Sequence, residues 1–396
     1  MLKQLVNSLR KHVIWKLTSR WETQREFGVN LSGYLSSQFG VGTSARAFAE
    51  ALKQANVPLA LNNRVSPHHE GRRSVFDNSF SDTNPYRINI IHYNADVAKY
   101  FFEELGPSYF HSRFNVGIWY WELANFPKQW YNRFKYLNEL WVVSQFIAES
   151  LSKVSPIPIV KVRYPLSVPP NIPPLDARRR YGLKEEFILL FVFDFNSYFE
   201  RKNLNGLLRA YTNAFNNRID VLLILNSING GRHPNESSAL REMLQNTSVR
   251  HIEGPLSELD YYALFAAANC YVSLHRSEGF GVPMAEAMCL GKPVIATGYS
   301  GNMEYMNANN SLPVKFKIVK LEENYGPYEK GNIWAEPDIE HATELLKWVH
   351  ENQDEADTIG KQARIDVKKT LNQALAGQEM KRRLETISAK MERQEK

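Results

Sequence analysis

The alternation of short apolar runs with amphipathic stretches is the feature that most limits how this chain of 396 residues can fold. A first series of β-rich runs occupies residues 28–33, 57–61, 87–93, 114–120 and 139–144, and a second occupies 187–194, 221–226, 249–254, 269–274 and 292–296. Patterns typical of helices lie at about 43–55, 203–216, 235–246, 257–268 and 283–290. Because the strands are almost continuously apolar, the alternation predicts two parallel sheets, each covered by helices on both faces.

A proline-rich segment separates the two series. Residues 165–176 read PLSVPPNIPPLD, with five prolines among twelve positions, so they predict a stiff linker with no helix and no central strand. We therefore predict an α/β fold with two Rossmann-like domains, at residues 27–165 and 179–350, that face each other across a cleft. The hinge is expected at residues 166–178. Residues 351–396 are expected to form a helical segment that returns toward the first domain.

Residues 1–26 form a separate predicted element, a basic amphipathic helix. Leu2, Leu5, Leu9 and Leu17 recur at helical spacing, and Lys and Arg side chains interleave with them. Such a helix can lie on an anionic membrane surface with its apolar face down. A helix packed on the domain, or a partly disordered terminus, explains the same pattern, and both interpretations stay open.

The net charge of +6 comes from the two ends of the chain. Residues 1–25 and 361–396 each carry a net charge of +5, so the body between them is slightly acidic at −4. No sequence signature of a nucleic-acid-binding fold accompanies this charge, and we expect no nucleic-acid partner. No apolar run approaches the eighteen residues of a membrane-spanning helix. The two cysteines, Cys270 and Cys289, form no CxxC pair, which favours a cytoplasmic location, peripheral to the inner face of a membrane if the first helix binds lipid.

The loop 38-QFGVGTSA-45 matches the pattern G-x-G-x-x-A between a predicted strand and a helix. A dinucleotide site is not favoured, because the loop is too long and the next strand ends in Asn62-Asn63 where an acidic residue is needed. Gly42 is a candidate donor-binding residue, since a glycine at a helix start lets the backbone approach an anionic ligand. A glycine needed only for tight packing is the alternative.

The segment 273-SLHRSEGFGVPMAEAMCLGKPVIAT-297 contains the most informative motif. A strand ends near Leu274, the loop then presents Glu278, and a glycine-rich turn leads into a helix at Pro283. Free N–H groups at such a turn and the helix dipole favour a phosphate. Glu286 follows on that helix. Two carboxylates beside an anion site would repel the anion unless each binds hydroxyl groups, as a sugar and a ribose offer.

Glu278 and Glu286, with seven residues between them, resemble the Glu-x7-Glu motif of retaining glycosyltransferases of family 4, also called glycosyl transferases group 1, which have the GT-B fold. The segments 121-WELANFP-127, 139-ELWVVSQF-146, 252–274, GKPVIAT at 291–297 and 334-WAEPD-338 are similar to the same family. The resemblance covers roughly residues 27–350. It implies a glycosyltransferase of the hexosyltransferase type (EC 2.4).

The resemblance also implies roles for single residues. The position of Glu286 binds the ribose hydroxyls, the position of Glu278 contacts the transferred sugar, and the loop amides of Phe280 and Gly281 face the donor. Lys202 matches a lysine that neutralises the leaving diphosphate, a role that fits the growth of charge there as the glycosidic bond breaks. Recognition of the base is expected from backbone groups around 252–255.

Three further residues complete the candidate site. The family usually has a Gly-Arg pair where this chain has Phe195-Asn196, and we hypothesise that Arg201 supplies the second cation. His92, at a strand end, falls where some members place a histidine beside the reacting sugar, and it could orient a hydroxyl or shuttle a proton. Glu122 is a candidate to face the acceptor. Structural roles for His92 and Glu122 stay open.

Metal use is not expected. The eleven Asp residues include no Asp-x-Asp pair, the motif by which another class of glycosyltransferases holds a cation. The pair His68-His69 has no third ligand at a suitable spacing.

The sequence thus predicts a retaining, metal-independent transferase with no tightly bound cofactor. It would move a sugar from a nucleoside-diphosphate sugar to a hydroxyl of a glycan or lipid-linked acceptor. The alternatives are another GT-B-like enzyme, such as a sugar-nucleotide epimerase or a phosphorylase, and a non-catalytic nucleotide-sugar-binding subunit of a larger complex.

Overall fold

The computed structural model of the protein describes Trp21 and residues 24–37, 39–65, 76–216, 218–245 and 247–395. Most of the predicted first helix, at 1–20 and 22–23, lies outside the described residues, and so does the His68-His69 pair. Within the described part of the chain, no helix is both long enough and apolar enough to cross a membrane.

The first domain is built on a sheet of six parallel strands in the order β2-β1-β3-β4-β5-β6. Its strands are β1 (Val29–Gly33), β2 (Leu59–Asn63), β3 (Ile88–His92), β4 (Phe114–Ile118), β5 (Glu139–Val142) and β6 (Ile159–Lys161). Its helices are α1 (Gly40–Gln54), α2 (Ala95–Leu105), α3 (Pro107–Phe110) and α4 (Gln145–Ser152). Strands β1, β3, β4 and β5 are buried along their whole length, as expected for a sheet covered on both faces.

The second domain repeats this plan with the strand order β12-β11-β10-β7-β8-β9, again all parallel. Its strands are β7 (Phe187–Asp194), β8 (Val221–Ile228), β9 (Val249–Glu253), β10 (Cys270–Ser273), β11 (Val294–Thr297) and β12 (Leu312–Val314). Its helices are α5 (Pro174–Arg180), α6 (Phe199–Lys202), α7 (Leu204–Phe215), α8 (Pro234–Met243), α9 (Glu258–Ala267), α10 (Val282–Cys289), α11 (Ile339–Glu351) and α12 (Gln353–Thr370). An antiparallel hairpin of β13 (Phe316–Lys320) and β14 (Ile333–Pro337) stands apart from this sheet.

The predicted fold class is confirmed, and three details differ from the predictions. Helix α5 begins at Pro174, inside the segment predicted to hold no helix, because proline is tolerated in the first turn, where no intrahelical donor is needed. The hairpin β13–β14 was not predicted. Helix α12 stays on the second domain, where a side chain at Gly360 would collide with the carbonyl of Gly291.

The chain crosses between the domains twice, side by side. The first crossing follows β6, and the second lies between α12 and the last helix, α13 (Gln373–Glu395). At the crossing point the N–H of Leu166 donates to the carbonyl of Leu371 at 3.2 Å. Helix α13 packs on α1 of the first domain, where Gly377 lies so close to Ala51 that a Cβ would be 2.1 Å from its carbonyl oxygen.

An ion pair also holds α13 on the first domain. The guanidinium of Arg383 binds Glu139, which is 2% exposed at the start of β5 and also accepts from the indole of Trp141 at 2.8 Å.

Strand order fixes where each domain can bind a ligand. In the second sheet, β8 and β9 lie on one side of β7 while β10 lies on the other, so the loops after β7 and β10 diverge. The crevice at such a switch point, at the carboxyl ends of the strands, is the usual binding place of open parallel sheets. The equivalent switch point of the first sheet lies between β1 and β3.

Candidate active site

A buried charge cluster occupies the switch point of the second sheet. Helix α6, which follows β7, carries Arg201 and Lys202, and the loop after β10 carries Glu278. One oxygen of Glu278 accepts from Nζ of Lys202 at 2.6 Å and lies 3.1 Å from a guanidinium nitrogen of Arg201. The three side chains are 12%, 13% and 4% exposed respectively. The structure thus brings together three of the predicted site residues.

Electrostatics keep the Glu278 carboxylate of this cluster charged. Burial by itself raises the pKa of Glu278, but the attraction of Arg201 and Lys202 outweighs it and lowers that pKa to about 2. Burial lowers the pKa of Lys202, and the neighbouring Glu278 opposes this shift. Glu278 is therefore a carboxylate at neutral pH, and it can accept hydrogen bonds but not donate them.

Several groups of the protein hold the guanidinium of Arg201, which we hypothesised to be a second cation for the diphosphate. Its guanidinium donates to the carbonyls of Ser277 at 2.8 Å and Ser197 at 3.2 Å, and it lies 6.0 Å from the ring centre of Tyr328. Arg201 therefore fixes the loop that carries Glu278. Lys202 is the cation of the pair with fewer protein partners.

Glu286 lies buried in the second turn of α10, 4% exposed. Its two carboxyl oxygens accept one hydrogen bond each from the hydroxyls of Tyr261 and Tyr262, both at 2.9 Å. Burial raises the pKa of Glu286 to about 7, although both tyrosine hydroxyls act to lower it. The tyrosine pair was not predicted from the sequence, because two adjacent aromatic residues in a helix are usually part of the core.

The glycine-rich loop between Glu278 and α10 is shaped by close contacts. Gly281 has φ of +83° directly before the helix, a conformation that favours glycine. The hydroxyl of Tyr305 donates to the carbonyl of Gly281 at 2.6 Å and lies 3.1 Å from that of Phe280. The ring of Phe280 stacks on Tyr164 of the first domain, with the ring centres 4.5 Å apart.

The loop that carries Glu278 also binds the first domain directly. Ser144, the cap of α4, donates from its hydroxyl to the carbonyl of Gly279 at 2.7 Å. The hydroxyl of Ser277 donates to the carbonyl of Glu122. The predicted site therefore lies where the two domains meet.

Glu122 reaches the same cluster from the first domain. Its carboxylate accepts from the hydroxyl of Tyr328 at 3.1 Å. Burial raises the pKa of Glu122, while Arg201 acts against this. Tyr328 belongs to the loop of the β13–β14 hairpin, and Asn332 in the same loop exchanges hydrogen bonds with Asn125 of the first domain. The hairpin thus closes one side of the cluster. This role was not predicted from the sequence.

The contacts of His92 and Gly42 fit the structural roles that the sequence analysis left open for both residues. His92 is 0% exposed, and burial lowers its pKa to about 4. Its Nε2 lies 2.9 Å from the hydroxyl of Ser44, which also contacts the hydroxyl of Tyr120. Gly42 lies inside α1, where a Cβ would be 2.4 Å from the carbonyl oxygen of Ser37, so backbone packing is sufficient to require glycine there.

An open cavity of about 230 Å³ lies at the carboxyl ends of β8 and β9. It is lined by Ile228, Asn229, Gly230, Gly231, Arg232, Glu253, Gly254 and Pro255. The segment 252–255, expected to meet the base of the donor, contributes three of these residues. Among the described residues there is no group of three or more His, Cys, Asp or Glu side chains placed to hold a metal ion.

Comparison with known proteins matches a little under half of this chain to a family. Residues 176–366 match the family described as glycosyl transferases group 1. A protein provisionally named as a glycosyltransferase, ORF313 of Acidianus filamentous virus 1, is 32% identical over 114 residues. That match covers 28% of this chain and spans about a third (34%) of the viral protein.

Solved structures share the fold over almost the whole chain. Sucrose-phosphate synthase of Thermosynechococcus elongatus has a TM-score of 0.66 at 17% identity, covering 92% of this chain and 100% of that one. HepE of Anabaena, in complex with UDP and glucose, has a TM-score of 0.62 at 13% identity, covering 91% and 100%. A glycosyltransferase of Rickettsia africae has a TM-score of 0.61 at 16% identity, covering 92% and 99%. At these identities the likeness shows the GT-B fold, with its two Rossmann-like domains.

The raised pKa of Glu286 predicts a pH-dependent stability difference between the wild type and Glu286→Gln. Between the unfolded pKa of 4.5 and the folded pKa of about 7, the folded state binds more protons than the unfolded state. The contribution of Glu286 to stability is therefore fully present below pH 4.5 and is lost as the pH rises through 7. Glu286→Gln has no carboxyl to titrate and does not lose this stability. Relative to the wild type, its free energy of unfolding should therefore rise by about 3 kcal/mol between pH 4.5 and pH 7. Urea unfolding at a series of pH values measures the difference.

Glu385→Gln is the matched control, because Glu385 is exposed on α13. Its stability should follow the wild-type profile at every pH. A Glu286→Gln profile that also runs parallel to the wild type would contradict a buried carboxyl with a raised pKa.

Proposed function

We propose that this protein is a glycosyltransferase that moves a sugar from a nucleoside-diphosphate sugar to a hydroxyl group of a glycan or lipid-linked acceptor, with retention at the anomeric carbon. The observation that carries the proposal is the buried cluster of Lys202 and Glu278 at the switch point of the second sheet, with Glu286 one helix away. The family match over residues 176–366 supports the class of reaction. Structural neighbours solved with UDP or UDP-glucose support the class of donor.

The donor would lie across the carboxyl ends of the second sheet. Its base would occupy the cavity at residues 228–232 and 253–255, and its ribose hydroxyls would meet the carboxyl of Glu286. The sugar hydroxyls would donate to Glu278, which is kept ionised by its two cations. In the absence of a nucleotide-sugar, each oxygen of Glu286 already accepts a hydrogen bond from a tyrosine hydroxyl. The ribose hydroxyls must therefore share these oxygens with the tyrosines or displace them.

Charge at the leaving group is the chemical problem that the cluster would solve. As the bond between the anomeric carbon and the diphosphate oxygen breaks, negative charge grows on the β-phosphate. The ammonium of Lys202 has three N–H groups, of which one donates to Glu278. The others remain to donate to the oxygens of the β-phosphate. The acceptor oxygen bonds to the anomeric carbon on the same face, and its proton passes to a donor phosphate oxygen. The anomeric configuration of the product, read by NMR, tests retention.

Lys202→Gln should lower kcat by about 10²–10³, because it removes a preorganised positive charge from the developing diphosphate. The measurement is sugar transfer, or slow donor hydrolysis, with UDP-, GDP- and ADP-sugars. Thermal unfolding with UDP, GDP and ADP is run alongside. A nucleotide at about one hundred times its Kd stabilises the folded state by about 2.7 kcal/mol. Binding should be weakened in the variant but still detectable.

Lys347→Gln serves as the control for Lys202→Gln, because Lys347 is exposed on α11, away from the cluster. It should leave kcat and nucleotide binding unchanged. If nucleotides stabilise the wild type but no sugar is transferred to any acceptor, the protein is instead a non-catalytic nucleotide-sugar-binding subunit. Formation of an epimeric sugar without an acceptor, or of a sugar phosphate only with inorganic phosphate, would replace the proposal by an epimerase or a phosphorylase.

Activity should survive EDTA. The proposal assigns the neutralisation of the diphosphate to Lys202, and the sequence has no Asp-x-Asp pair to hold a cation there. Initial rates measured in an excess of EDTA should equal those measured without chelator. Loss of activity that Mn²⁺ or Mg²⁺ restores would show that a metal ion supplies the positive charge.

We further propose that the basic segment 1–25 holds the enzyme on the cytoplasmic face of an anionic membrane, where a lipid-linked acceptor would lie. Its net charge of +5 and its apolar spacing support this proposal. A deletion of residues 1–20 should abolish cosedimentation with vesicles containing phosphatidylserine. This deletion retains Trp21, whose ring lies 5.6 Å from that of Phe114.

The vesicle experiment has an internal control, because the full chain should bind vesicles of phosphatidylcholine alone far more weakly. Deletion should also leave sugar transfer to a soluble acceptor intact. Equal recovery of both proteins with the anionic vesicles would rule out this segment as the membrane anchor.

A further inference from the structure

Ser300 has a backbone conformation that a side chain makes costly. It lies three residues after β11 with φ of +80° and ψ of −141°, close to a region populated almost only by glycine. Seven non-glycine residues in the described part of the chain have positive φ, and four of them are asparagines, which tolerate it. A serine is unusual here, since glycine would adopt the same backbone without strain.

The hydroxyl of Ser300 gives a reason for the serine. Its Oγ accepts a hydrogen bond from the backbone N–H of Glu278 at 2.8 Å and donates to the carbonyl of Tyr299 at 2.6 Å. On the other side, the N–H of Gly301 donates to the carbonyl of Glu278 at 2.8 Å. Both peptide groups that flank the Glu278 side chain are therefore held by two consecutive residues of one loop.

The two loops are in contact as well as hydrogen-bonded. A Cβ on Gly301 would lie 1.9 Å from the carbonyl oxygen of Gly279, so the backbones touch without an intervening side chain. Glu278 is buried, and its backbone N–H would lose its hydrogen-bond partner if the hydroxyl of Ser300 were removed. Strain of this kind persists only where surrounding contacts enforce it, and it clusters at functional sites.

We propose that Ser300 is a positioning residue of the active site, whose hydroxyl fixes the backbone of Glu278 so that its carboxylate meets the transferred sugar at a set angle. This inference rests on the proposed function. It assigns to Ser300 no contact with the donor. The strained backbone at Ser300 is the cost of placing a hydroxyl where glycine would leave the N–H of Glu278 without a partner.

Two variants separate the hydroxyl from the strain. Ser300→Ala removes the hydroxyl and keeps the Cβ, whereas Ser300→Gly removes both. Both should lower kcat to the same extent, about tenfold for the loss of one hydrogen bond that orients a group in the transition state. Their melting temperatures should differ, with the glycine variant more stable than the alanine variant, the reverse of the usual order.

Nucleotide binding distinguishes positioning of Glu278 from a general structural role of Ser300. A general loss of structure would weaken nucleotide binding as well as lower kcat. UDP and GDP lack the sugar that Glu278 would contact, so the Kd for whichever of them stabilises the wild type should be unchanged in both variants. The loss should therefore fall on kcat and not on affinity for the nucleotide.

Ser112 provides a matched control, since it also has positive φ (+61°) and a hydroxyl hydrogen-bonded at 2.7 Å, to His111. It lies before β4, at the amino end of that strand and away from the cluster. Ser112→Gly should again be more stable than Ser112→Ala, while both keep wild-type kcat. This control separates relief of strain from loss of positioning.

The inference is overturned if Ser300→Ala and Ser300→Gly both keep wild-type kcat, or if kcat follows the melting temperature so that alanine is impaired and glycine is not. It is also overturned if the Kd for the nucleotide rises as much as kcat falls. A wild-type protein that transfers no sugar would instead remove the proposed function, and this inference with it.

Discussion

The shared carboxylate of Glu278 is the interaction on which the site depends. It joins the loop after β10 to helix α6 after β7, the two elements that diverge at the switch point of the second sheet. Removing either cation would leave a buried charge without a full partner, which costs far more than an exposed pair contributes. Arg201 then carries the constraint onward, because its guanidinium also binds the carbonyls of Ser277 and Ser197. The cluster is therefore both the mechanical support of the loop and its source of charge.

The interface between the domains is organised around the same loop. Ser277, Gly279 and Phe280 each contact the first domain, through a hydroxyl, a carbonyl and a ring. The hairpin loop adds Tyr328 and Asn332 from a second direction. A change in the relative position of the domains must therefore change the surroundings of Glu278. Closure of the cleft is therefore coupled directly to the position of Glu278 in the proposed reaction.

The sequence predicted the fold well because the fold follows from burial. Continuous apolar runs such as 187–194 became strands covered on both faces, and β7 was placed at its exact bounds. Side-chain contacts between residues far apart in the sequence were not predicted. Nothing in the local pattern distinguishes Tyr261 and Tyr262, which bind Glu286, from core aromatics, or Ser300 from any loop serine. His92 was placed at the correct strand end, but the sequence pattern does not show that its ring contacts Ser44 and Tyr120.

The return of α13 to the first domain has a consequence for how the protein is made. On the ribosome, residues 29–161 emerge well before the helix that covers α1 and the guanidinium that pairs with Glu139, because the second domain lies between them in the sequence. Until then α1 lacks the helix that packs on it, and the carboxylate of Glu139, which is 2% exposed in the finished protein, lacks its cation. The second domain has all of its strands and can fold earlier. The first domain therefore reaches its final form only after the chain of the second domain has been synthesised.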